Sequence, residues 1–167
     1  MTPPANNFAS RPLLRLCRHE AGHALVAGHF GVEWAAWVIP AAAPGGPQHA
    51  GTRFGSATPL HSAAIAWAGA LAELDPAATF SEAESETIAA CVSVSDWNII
   101  CAHPDPFESL TLAASILRQH AGQLAHLAGR LLAEKFCSHP GIAAPLQCPH
   151  PNPEPNHAPE QSTPARL

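Results

Sequence analysis

Apolar residues recur at helical spacing near the start of the chain. Leu13, Leu14, Cys17, Ala21, Ala24, Leu25 and Gly28 fall on one face of a helix predicted from about Arg11 to Phe30. Ser10 is its expected N-cap, Pro12 is tolerated in the first turn, and Gly31 is the expected stop. The pattern then changes. Val32 to Pro40, rich in tryptophan, valine and isoleucine, predicts a strand, and His49 to Phe54 predicts its return. Pro44-Gly45-Gly46-Pro47 between them predicts a turn or flap. Pro59 to Leu74 predicts a second, strongly apolar helix closed by Asp75-Pro76. Ser81 with Glu84 three residues on predicts a short third helix to about Ala90. Around Ser93 to Trp97 the chain is irregular or opens another helix, which Pro104 and Pro106 break. Phe107 to Phe136 is a long helical stretch with an interruption expected near Gly122.

The expected fold is mainly α: a compact bundle of four to five helices with a small β-hairpin beside the first helix. From Ser138 the periodicity disappears, and eight prolines fall in the last 30 residues. The expected division is a disordered lead at 1–9, a folded domain at 10–137 and a Pro-rich disordered tail at 138–167.

Composition narrows the function classes. Hydrophobic residues make up 47% of the 167, mostly alanine, which allows close helix packing, while charged residues make up only 13%. The net charge is −5 and Lys135 is the one lysine, so no basic patch recommends nucleic acid or an anionic membrane as a partner. Five cysteines, an odd number with no C-x-x-C pair, argue against a disulfide framework or a cysteine zinc knuckle and fit a reducing, cytoplasmic setting. Met1 to Ser10 lacks the apolar core of a signal peptide, and no apolar run is long enough to predict a membrane span.

One motif carries chemistry. His19-Glu20-Ala21-Gly22-His23 matches H-E-x-x-H, which chance would produce about 0.04 times in a chain of this composition. On a helix the two histidines lie about 40° apart and one turn along the axis, so both imidazoles can hold one ion. Zinc in a hydrolytic site takes neutral imidazoles, keeps one position open, and acidifies its water; Glu20 is placed to take that water's proton as general base. Three residues compete as third ligand. His29 falls ten residues after His19, but Val26 stands where the matching long pattern needs glycine, and a continuing helix points His29 away. Glu73 and Asp96, carboxylates on later segments, both remain, with Asp96 also readable as a helix N-cap.

Arg18-His19-Glu20-Ala21-Gly22-His23-Ala24-Leu25-Val26-Ala27 resembles the zinc motif of FtsH-type ATP-dependent metalloproteases. Val38-Ile39-Pro40, a glycine-bearing flap, and Ala68-Gly69-Ala70-Leu71-Ala72-Glu73 follow in that family's order, over roughly residues 11 to 136. The resemblance implies zinc held by His19, His23 and Asp96, Glu20 as general base, and Glu73 as a supporting carboxylate. It also implies a zinc-dependent metalloendopeptidase acting on peptides or unfolded protein, and, since that family's domains form rings, a homo-oligomer. Ala70 replaces the family's usual arginine, and no G-x-x-x-x-G-K-[ST] loop is present, so the chain resembles a stand-alone relative without the ATPase module.

Two rivals stand beside this reading: a non-catalytic interaction module stabilised by zinc, and a metal-dependent hydrolase of another amide. Among the other candidates, Trp34, Trp37, Trp67 and Trp97 are expected in the core or at contacts. His49 and His61 flank the flap and are expected to be exposed. Arg118, His120 and Arg130 are expected on the wet side of the last helices.

Overall fold

A computed structural model describes residues 13–43, 48–74 and 82–139. The expected lead, the Ser10 cap, the Pro44–Pro47 flap, the Asp75-Pro76 stop, the Ser81 cap and the tail beyond His139 lie outside the described residues. The described residues hold α1 (Leu13–His29), β1 (Trp34–Ile39), β2 (His49–Phe54), α2 (Pro59–Ala72), α3 (Glu82–Ala89), α4 (Val94–Cys101), α5 (Pro106–Gln119), α6 (Ala121–Glu134) and β3 (Phe136–Ser138). The mainly helical class and the hairpin beside α1 are as expected.

Local chemistry sets the boundaries. Gly31, at φ +68°, ends α1. Gly31 N–H donates to Gly28 O, and Val32 N–H donates to Ala27 O at 2.9 Å, the paired bonds of a Schellman stop. Thr58 caps α2 by accepting from His61 N–H, and Pro59 occupies the first turn. Asp105 caps α5, accepting from Phe107 and Glu108 N–H at 3.0 Å.

α1 is the central element, packed by α2, α6 and the sheet, and α2 packs in turn on α4 and α5. With neighbours on several sides, α1 buries more than one stripe: Leu16, Val26 and Ala27 are as enclosed as Cys17, Ala21 and Ala24. The expectation that Leu14 faces the core is corrected, since it is 53% exposed. At the helix's first turn no element among the described residues covers that side.

The sheet has the order β2-β1-β3 and is antiparallel throughout, with Trp34 opposite Phe54, Ile39 opposite His49, and Trp37 opposite Phe136. The third strand was not expected. Phe136 was assigned to the last helix, but Lys135 adopts a left-handed conformation that ends α6 and turns the chain back along β1. Ser138, placed at the start of the tail, pairs with Ala35 instead. The long helical stretch divides at His120, two residues before the expected Gly122.

Trp34, Trp67 and Trp97 are buried, and the last two meet edge to face with ring centres 6.1 Å apart. Cys17, Cys101 and Cys137 are free thiols. No helix among the described residues is long and apolar enough to cross a membrane.

Candidate metal centre

The buried middle of α1 presents His19 and His23 toward α2 and α4, with exposures of only 1% and 4%. α2 fixes both rings from behind. Glu73, at the end of α2, has Oε1 2.7 Å from His19 Nδ1, and Arg15 donates to its other oxygen. The carbonyl of Ile65 lies 2.6 Å from His23 Nδ1. A carbonyl and a carboxylate accept, so both Nδ1 atoms carry a proton and Nε2 is the nitrogen each ring can offer to a metal once it is neutral.

α4 supplies the carboxylate. Asp96 Oδ2 lies 3.7 Å from His23 Nε2 and 3.9 Å from His19 Nε2. Asp96 is not the N-cap; Ser93 is, accepting from Asp96 N–H at 3.0 Å and donating to Asp96 Oδ2 at 2.5 Å. That reciprocal pair orients the carboxylate across the gap toward α1.

The ligand atoms of His19, His23 and Asp96 all lie within 4.8 Å of one another, and no other group of three among the described residues does so. A tetrahedral ion with arms of 2.0–2.1 Å sets its ligands about 3.3 Å apart, so the gaps to Asp96 would close by about half an ångström and the widest separation, up to 4.8 Å between the two imidazoles, by up to about 1.5 Å. Two imidazoles and one carboxylate suit zinc and leave one position open. Space is reserved as well. A Cβ added to Gly69 of α2 would lie 2.3 Å from His23 Nε2 and 2.6 Å from His19 Nε2. Only a glycine leaves that volume vacant.

Without a metal the cluster balances its charge with protons. Burial pushes the His19 pKa down, but the Asp96 and Glu73 carboxylates outweigh it and raise the value to about 9. Burial works to raise Asp96, but the charge of His23 and the hydrogen bonds from His19 and Ser93 hold its carboxyl below the ordinary range.

The cluster faces a cleft of about 440 Å³ walled by β2 and by Ser93–Asp96, and Glu20 lines the same cleft. Glu20 is 4% exposed and its Oε2 accepts from Thr52 Oγ1 at 2.7 Å. His49 lines the cleft and is exposed, whereas His61 stacks on Phe30 with ring centres 3.9 Å apart, away from it. His29 lies outside the cluster, at the other end of α1 beside His120. Glu73 stands behind His19 on the side opposite Asp96, so the two carboxylates left open by sequence divide into a support and a candidate ligand.

Two residues of the site were missed in the sequence. Gly69 carried a usable signal, because a glycine inside a predicted helix costs about 1 kcal/mol against alanine and calls for a packing reason. Thr52 shares strand parity with Ala50 and Phe54, which puts it on the inner face of β2, but nothing in the sequence names Glu20 as its partner.

Comparison of the chain with family models, with curated proteins and with solved structures found no match.

Proposed function

We propose that this chain is a zinc-dependent metalloendopeptidase acting on peptides or unfolded protein. The observation that supports it best is a pair of buried imidazoles, each with Nδ1 committed and Nε2 turned toward Asp96, beside the buried carboxylate of Glu20 in one cleft. His19, His23 and Asp96 would hold the ion, which when bound supplies Lewis-acid activation of a water and of the scissile carbonyl. Glu20 takes the water's proton and passes it to the leaving amine. Glu73 and the Ile65 carbonyl keep the two rings in the tautomer that a metal requires.

β2 ends the sheet on one side, so its outer edge has no strand partner among the described residues, and it lines the cleft. An extended peptide adds to such an edge through main-chain hydrogen bonds. The resemblance of the Arg18–Ala27 segment to FtsH-type proteases supports the same reading.

Glu20→Gln tests it. The variant should keep one zinc per chain and lose about 10³-fold in cleavage of an unfolded protein, within the range for removing a general base. A zinc-loaded wild type that cleaves no unfolded protein, or a glutamine variant that cleaves as fast, overturns the assignment.

A further inference from the structure

Resting on the peptidase reading, we propose that Thr52 is a positioning residue that holds Glu20 from the strand on which the substrate is seated. Glu20 is buried, and a buried carboxylate is costly without a hydrogen-bond partner. Thr52 Oγ1 lies 2.7 Å from Glu20 Oε2 and 3.2 Å from the Glu20 carbonyl oxygen. A hydroxyl has one proton to give, and the nearer, charged oxygen takes it.

Thr52 reaches Glu20 across 32 residues of sequence, from the inner face of β2 that also carries Ala50 and Phe54. Its backbone is fixed by pairing opposite Ala36 in the middle strand. Branching at Cβ limits its rotamers, so the hydroxyl is held where the strand puts it. With one acceptor site of Oε2 engaged by Thr52, the carboxylate is held in orientation and keeps acceptor sites for the water's proton. The same strand presents the free edge that lines the cleft, so the base and the seated peptide share one rigid support.

The test compares Thr52→Val, which keeps the shape and removes the donor, with Thr52→Ser, which keeps the donor and removes the methyl. Zinc content, Tm, kcat and KM on an unfolded protein, and crystal structures of all three proteins are measured. Thr52→Val should keep one zinc, lower kcat about tenfold and leave KM within about twofold, the size expected for losing one hydrogen bond to a charged group. Thr52→Ser should recover most of that rate. In the crystals the Glu20 carboxylate should stay on the hydroxyl in Thr52→Ser and leave its position in Thr52→Val. Wild-type kcat in Thr52→Val, or equal loss in both variants, overturns the proposal. If the wild type binds zinc and cleaves nothing, the peptidase reading fails by itself. The positional claim is then decided by the crystals, where an unmoved Glu20 in Thr52→Val refutes it.

Discussion

Gly69→Ala is the smallest change that separates a metal centre from a buried histidine pair. The added Cβ would stand 2.3 Å from His23 Nε2 and 2.6 Å from His19 Nε2. Non-bonded contacts settle near about 3.5 Å, so the rings would have to retreat by about 1.2 Å and about 0.9 Å. Neither ring is free to do so. Retreat breaks the 2.7 Å bond from His19 to Glu73 and the 2.6 Å bond from His23 to the Ile65 carbonyl. Zinc–nitrogen distances tolerate about 0.2 Å, so a displacement of about 1 Å removes the site, and the methyl itself fills the space between the two nitrogens. Zinc affinity should therefore fall by at least about 10²-fold, or about 2.7 kcal/mol. The assay is competition with a chromogenic chelator, alongside circular dichroism of the metal-free protein to establish that it is folded. Gly129→Ala serves as the control. Gly129 lies inside α6 with nothing within 4 Å of an added Cβ. There the alanine should leave zinc binding unchanged and stabilise the fold by roughly 0.5–1 kcal/mol. One zinc per chain at wild-type affinity in Gly69→Ala would refute the placement of the ion.

Two further outcomes are expected. Glu73→Gln keeps an acceptor for His19 Nδ1–H but removes the charge, and zinc affinity should drop about 10- to 100-fold as read by the same competition; an unchanged affinity removes Glu73 from the site. In the metal-free protein the His19 pKa stands at about 9, against about 6.5 in the unfolded chain. A raised pKa stabilises fully below about 6.5 and loses its contribution as pH rises through about 9, so urea denaturation after chelation should show stability falling across that window. A flat profile in the wild type, or the same fall in His19→Asn, contradicts the assignment.

Much of this was legible because the governing interactions are local. The His19–Glu20–His23 spacing is a property of one helix, and β2 was bounded at His49 and Phe54 because its turn signals flank it directly. What was illegible depends on distant partners. Leu14 matched the apolar face, yet exposure is decided by which elements arrive, and none among the described residues covers it at the first turn of α1. Phe136 reads in sequence as the end of the last helical stretch, and the left-handed Lys135, a conformation unusual for a residue with a Cβ, turns the chain into a strand there. Asp96 and Glu73 were both named as acids, but which of them faces Nε2 and which faces Nδ1 depends on the relative placement of α1, α2 and α4.

That placement explains a composition that looked merely apolar. Six of the ten enclosed residues of α2 from Ala63 to Ala72 are alanine, and α1 answers them with Gly22, whose Cβ would lie 2.3 Å from the Ala68 carbonyl oxygen. Interaxial distance is set by the side chains at the contact, so leucines in these positions would move α2 outward by an ångström or more, on the order of the usual 8–10 Å spread. Three features of the site arrive on α2 and its last turn: the vacancy at Gly69, the Ile65 carbonyl on His23 and the Glu73 carboxylate on His19. Hydrogen bonds of 2.6 and 2.7 Å do not survive such a shift, and the rings would lose their fixed tautomers together with their orientation. An H-E-x-x-H segment on a helix packed at leucine spacing would keep both histidines and lose the centre. The alanine and glycine contact between α1 and α2 is thus as much a part of the candidate centre as the histidines it holds in place.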